Sequence, residues 1–177
     1  YNALVSWPAE LGKLPALKRV LLAGNRIPKL PPEWGQYANQ WRELDLQQNQ
    51  LRKLFPWSPP ANAALQILRL NKNRLSVLPE DWSGFPELEK LELARNRLAS
   101  LPAGLSTLVK LRRLDLSGNQ LVSVPAVIRQ LPSLRELHLA NNKLQKGLDT
   151  CIHLPWLARL DLQRNNLSSL PEAFAQC

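Results

Sequence analysis

The segment Leu111-Arg-Arg-Leu114-Asp-Leu116-Ser-Gly-Asn119-Gln-Leu121 sets four leucines around one asparagine. Leu114 and Leu116 flank Asp115, an alternation that reads as a short strand with its leucines on one face. The same pattern, L-x-x-L-x-L-x-x-N-x-L, recurs from Leu17 to Ile27 (with Val20 at its second place), Trp41 to Leu51, Leu65 to Leu75, Leu88 to Leu98, Leu134 to Leu144 and Leu157 to Leu167. Its asparagines stand at 25, 49, 73, 96, 119, 142 and 165, so the period is 24, 24 and then 23 throughout. One period before Asn25 lies Asn2, with Leu4 in the matching place.

A unit of this size cannot bury its leucines alone. Stacked units share one continuous core, and the strands of successive units then lie side by side as a parallel sheet. The recurring asparagine points inward in such a stack, where its amide must pair with the backbone of the turn that leaves the strand. The second half of the unit is also regular. Leu101-Pro102-Ala-Gly-Leu105-Ser-Thr-Leu108 aligns with Leu78-Pro79, Val124-Pro125 and Leu170-Pro171. A residue before proline is held out of the helical region, so each Leu-Pro step resets the chain before its return segment. Leu105, Ile128, Cys151 and Phe174 then face inward from the convex side. Two units depart from the pattern. Phe55-Pro-Trp-Ser-Pro-Pro60 makes a bulky convex bulge, and Lys146-Gly-Leu-Asp149 replaces a Leu-Pro step.

Over essentially the whole chain this pattern resembles the leucine-rich repeat family. The 23-residue, L-P-x-x-L version is similar to that of Ras-associated, Roco-type and many bacterial repeat proteins. The resemblance implies an α/β fold, a right-handed leucine-rich repeat solenoid with a parallel concave sheet and short 3-10 or helical convex segments. It implies one repeat domain over 1–177, of about seven repeats, and a role in binding another protein, within a larger signalling or effector protein. Members of the family normally protect their end repeats with caps, and neither end here shows one. With no Met to initiate it, the chain reads as a fragment whose apolar ends favour self-association.

The strand positions facing away from the core form columns across the sheet. The central column is Leu21, Asp45, Arg69, Glu92, Asp115, His138, Asp161. Two residues earlier stand Arg19, Glu43, Ile67, Lys90, Arg113, Glu136, Arg159. Two residues later stand Ala23, Gln47, Asn71, Ala94, Ser117, Ala140, Gln163. Concave faces of repeat proteins are common docking surfaces. The charged members of the first two columns are therefore the candidate partner contacts: Arg19, Glu43, Asp45, Arg69, Lys90, Glu92, Arg113, Asp115, Glu136, His138, Arg159 and Asp161. The central column (Asp45, Glu92, Asp115 and Asp161, with Arg69 among it) is expected to be solvent-exposed, with ion pairs running to Arg113, Lys90 or Arg159. The plainer reading is a solvated face whose pairs each contribute about 0–1 kcal/mol. Trp7, Trp34, Trp41 and Trp82 fall at core positions of the repeat. Trp57 and Trp156 do not; either they are exposed, where aromatics are favoured contact anchors, or each packs sideways onto a neighbouring loop.

Chemistry finds little support in the sequence. His138 lies between Asp115 and Asp161 in its column, which supplies too few ligands for a closed metal site. Ser117 beside Asp115 has no source of an oxyanion hole. The seven glycines are scattered and cradle no phosphate. We therefore expect no enzyme, no cofactor and no small-molecule substrate. Two cysteines make no disulfide framework, and no run reaches the ~18 apolar residues of a membrane span. A cytoplasmic location follows from the resemblance. Hydrophobic residues are 45% of the chain and charged residues 21%, a packed protein and not a disordered one. Lys and Arg outnumber Asp and Glu by 23 to 14. Part of that excess lies just after the strands, at Lys72, Arg95, Arg164, Arg26, Arg74, Arg97 and Lys143. The alternative function is accordingly binding of an anionic polymer or surface through this basic edge. Interleaved acids would count against nucleic acid, which needs a contiguous basic stripe.

Overall fold

The computed structural model describes residues 2–31, 34, 39–54, 63–149 and 153–169. The bulge at 55–60, with Trp57, lies outside them, as do Cys151, Leu170 and Phe174. Seven strands of three residues each stack in chain order into one parallel sheet. They are β1 (Arg19–Leu21), β2 (Glu43–Asp45), β3 (Ile67–Arg69), β4 (Lys90–Glu92), β5 (Arg113–Asp115), β6 (Glu136–His138) and β7 (Arg159–Asp161). The register is the one the columns imply. Leu44 pairs with Leu68, Leu91 with Leu114 and Leu114 with Leu137. This is the expected solenoid, one strand per unit.

Each central strand residue is a leucine or valine pointing into the core. Val20, Leu44, Leu68, Leu91, Leu114 and Leu137 are buried, joined by the other leucines of the repeat in one continuous cluster. A fully buried leucine stabilises by about 1.5–3 kcal/mol, so the stack rests mainly on these rungs.

Three return segments opened by a Pro form 3-10 turns, over Ala9–Lys13, Ala103–Thr107 and Ala126–Gln130, while the one after Pro79 does not. Leu105 and Ile128 point inward from two of these, as the alignment requires. Gly104 is forced: a Cβ there would lie 1.6 Å from the Glu80 carbonyl oxygen of the preceding unit. Trp7, Trp34, Trp41 and Trp82 are all buried. Trp34 stacks on Phe85 with centroids 6.1 Å apart, and Trp82 meets the same ring at 6.0 Å. The unit lacking a Leu-Pro step takes a different path. Gly147 has φ +90°, and Lys146 forms a parallel bridge with Ser123.

Candidate functional site

The asparagine ladder fixes both surfaces that the stack presents. Asn25, Asn49, Asn73, Asn96, Asn119 and Asn142 are all buried, in one repeated geometry. Asn119 accepts from the Leu98 amide at 3.0 Å and donates to the carbonyls of Leu93 and Leu116. Asn142 donates to the same Leu116 carbonyl and accepts from Leu121. Each rung thus ties its own turn to that of the unit before it. On one side of the ladder lies the strand floor. On the other lies an edge of turns.

On the floor, Arg69 in β3 is the hub. Its guanidinium pairs with Glu43 across one strand boundary, lies 3.9 Å from Asp45 and reaches Glu92 at 3.6 Å across the other. Arg19 closes on Glu43 from the far side at 2.6 Å. Farther along, Arg113 pairs with Glu136 and lies 3.7 Å from Glu92, while Arg159 and His138 each reach Glu136 at 3.6 Å. A hydrogen bond from Arg69 is the main reason the Glu43 carboxyl sits below its ordinary range; burial works the other way, and Arg19 adds to the lowering. At Glu136 burial raises the carboxyl, but Arg113, His138 and Arg159 together outweigh it.

The expectation of an exposed central column is corrected here: Asp45 is buried, and Arg69, Glu92, Asp115 and Asp161 are half-covered. Glu43 and Asp45 are only 7% and 8% exposed. The register is not at fault, since Leu44 between them points into the core. They are buried because Arg69 lies across them from the next strand. Glu92, Asp115, Glu136, His138 and Asp161 are partly covered, and Lys90, Arg19 and Arg159 are exposed. Lys90 makes no ion pair among the described residues. His138 is also reassigned: the carboxylate facing its Nε2 is Glu136, and not Asp115 or Asp161.

Three acids of the central column have a local task that the charge pattern did not reveal. Asp45, Asp115 and Asp161 each accept the amide of the residue two positions on, all at 3.0 Å. That is the side-chain-to-backbone turn that Asp readily makes. In β4, which carries Glu92, Asn71 substitutes by accepting the Ala94 amide at 2.7 Å. The signal was present as an Asp two residues before a small or amide residue at each strand exit.

Trp156 is 66% exposed, which decides between the two readings of its column in favour of exposure. It borders a depression of about 190 Å³ with Arg112, Pro132, Ser133 and Arg135. Reading the strands alone missed these two arginines, which stand just before β5 and β6. A second depression of about 340 Å³ is lined by Ala23, Gly24, Gln47 and Gln48 at the start of the turn edge.

The edge itself differs from the sequence reading. Each turn begins three residues after its strand, giving seven windows: 24–29, 48–53, 72–77, 95–100, 118–123, 141–146 and 164–169. They hold eleven cations and no acid. Beyond the seven cations already named these are Lys29, Arg52, Lys53 and Lys146. The interleaving of acids expected from the columns belongs to the floor and stops at the asparagine ladder.

The model for leucine-rich repeats matches residues 42–98, 63–121 and 86–144, and a second model for paired leucine-rich repeats matches 132–175. The chain belongs to the leucine-rich repeat family. A solved leucine-rich repeat protein of Leptospira interrogans superposes with a TM-score of 0.79 at 30% identity, covering 99% of this chain and 50% of that one. The ectodomain of the plant membrane receptor kinase GASSHO1/SCHENGEN3 from Arabidopsis thaliana, solved in complex with CASPARIAN STRIP INTEGRITY FACTOR 2, superposes with 0.76 at 30% identity, covering 97% and 21%. An internalin of Listeria monocytogenes shares the fold, with 0.77 at 22% identity, covering 96% and 48%. This repeat array therefore spans half or less of each of these proteins. Leucine-rich repeat proteins are protein-interaction modules, in general scaffolds and not enzymes. Among the described residues no helix is long and apolar enough to cross a membrane.

Proposed function

We propose that this repeat array docks a protein partner on its strand floor, within a larger signalling or effector protein of the cytoplasm. Cross-strand pairing of the floor charges supports the reading. Arg69, Glu43, Glu92, Arg113 and Glu136 hold one another across five strands, so their donors and acceptors stand preorganised before a partner arrives. Preorganised groups lose less side-chain entropy on binding. Exposed Arg19, Lys90 and Arg159, with Leu21 (58% exposed) and the half-covered Asp115, His138 and Asp161, are the contacts a partner would reach first. Glu43 and Asp45 act beneath them as supports for Arg69. Trp156 and Trp57 are proposed as flanking aromatic anchors. The receptor ectodomain's complex with CASPARIAN STRIP INTEGRITY FACTOR 2 is consistent with a binding role for the fold.

The experiment places a photo-crosslinking residue at Lys90 or Arg159 on the floor, and at Arg129 on the convex side, in cell extract. A partner joined through the floor positions and released by Lys90→Glu with Arg159→Glu is the expected outcome. Crosslinks confined to Arg129 would refute the floor as the docking face.

A further inference from the structure

The turn edge carries a charge arrangement that the floor does not explain. Its eleven cations leave twelve cations and all fourteen acids for the rest of the chain. The whole net charge of +9 thus comes from this edge, and the remainder of the molecule is slightly acidic. All eleven side chains are exposed, and none forms an ion pair among the described residues.

The windows also stack in contact; six of the seven carry cations, and 118–123 carries none. The Arg74 amide donates to the Leu51 carbonyl at 2.8 Å, Arg97 to Leu75 at 2.8 Å and Lys143 to Leu121 at 2.9 Å. Seven turns at the ~4.8 Å spacing of neighbouring strands give a ribbon about 29 Å long. Lys72, Arg95 and Arg164 occupy left-handed backbone, with φ of 54°, 56° and 54°. Gly24 and Gly118 hold the equivalent places in other units at φ 70° and 68°. A side chain in that region is strained where glycine is not, and basic residues stand there in three units.

We infer that this edge is a second docking surface, separate from the floor, and that its occupant is an acidic polypeptide segment carrying aliphatic residues between its carboxylates. Uncompensated cations, densest where Lys72 and Arg74 adjoin Arg95 and Arg97, supply the demand for anions. Val77 and Val122 choose among the anions. They are 47% and 54% exposed within the ribbon, where a sulfated sugar or a phosphate backbone leaves them unmatched and aliphatic side chains cover them. The windows contain no aromatic residue, so the stacking platform of single-stranded nucleic acid binding is missing.

The test is fluorescence anisotropy of a short labelled peptide alternating Glu and Val, with a Gln–Val peptide as control, titrated with the 177-residue chain. Heparin, single-stranded DNA and phosphatidylserine–phosphatidylcholine vesicles serve as competitors. The Glu–Val peptide should bind, weakening as salt rises. Lys72→Gln, Arg74→Gln, Arg95→Gln and Arg97→Gln together should weaken it by about tenfold or more, and Val77→Ser with Val122→Ser by about threefold. Arg159→Gln on the floor should leave it unchanged, which separates this edge from the floor proposal. Tighter binding of heparin, DNA or vesicles, or indifference to the valine changes, would overturn the polypeptide assignment. Unaltered binding by the four-charge variant, with its circular dichroism intact, would overturn the edge itself.

Discussion

Arg69 and Lys72 stand three residues apart in one unit, and their surroundings have little in common. Arg69 lies half-buried among Glu43, Asp45 and Glu92, each from the floor. Lys72 projects from a left-handed turn into solvent, with Arg95 in its place in the next unit and no acid in the turn windows. The asparagine ladder runs between them. The floor pairs its charges around Arg69 and Glu136, so mutations at those pairs should act first on stability. The edge leaves its charges unmet, so mutations there should act on binding and hardly on the fold.

The sharpest break in that contrast is Arg69→Met. It strands two nearly buried carboxylates, with Arg19 left as a partner for Glu43. Breaking a fully buried pair costs about 3–5 kcal/mol, and the partial exposure of Arg69 brings the expected loss at neutral pH to about 2–4 kcal/mol by urea denaturation. The pH dependence follows from the same pair. Glu43 titrates below its ordinary 4.5 in the folded chain, so its contribution is complete above 4.5 and is lost as pH falls through its depressed value. Acid unfolding of the native chain should therefore steepen below that point. In Arg69→Met that part of the acid sensitivity should shrink. An unchanged acid limb would mean that Arg69 does not hold Glu43.

Cutting the ladder between the two surfaces comes next. Asn119→Leu removes the acceptor of the buried Leu98 amide, while the Leu93 and Leu116 carbonyls keep Asn96 and Asn142 as donors. One stranded amide gives a loss of about 1–3 kcal/mol. A neutral result would show that the ladder shapes the turns without stabilising them. The smallest effect has the opposite sign. Lys72→Gly relieves left-handed strain on the edge and should raise stability by about 0.5–1 kcal/mol, readable as a shift in urea midpoint at constant slope.

The leucine and asparagine periods made the fold legible because each rung repeats the same burial. The columns were legible in part: Glu92 pairs with Arg113 as expected, while Arg159 turns to Glu136 and Lys90 to no acid among the described residues. Burial of Asp45 was not. It depends on where a side chain 24 residues later comes to rest, and no local pattern carries that. The local Asp turns were visible in principle, but a charge tally hides a backbone role. The edge was half seen: two columns of cations were counted, while the absence of acids emerged only when the windows were aligned on the strand ends.

The division of charge is tested most directly by the stability of Arg74→Gln/Arg97→Gln/Lys143→Gln beside the native chain at low and high salt. These three cations lie on the edge and lack a described acid partner. Their removal relieves repulsion, so the variant should be more stable than the native chain at low salt, by up to about 1 kcal/mol. Salt screens that repulsion and should close the gap. A variant less stable than the native chain at low salt would mean that the edge cations are paired in the folded protein, and the contrast between floor and edge would be wrong.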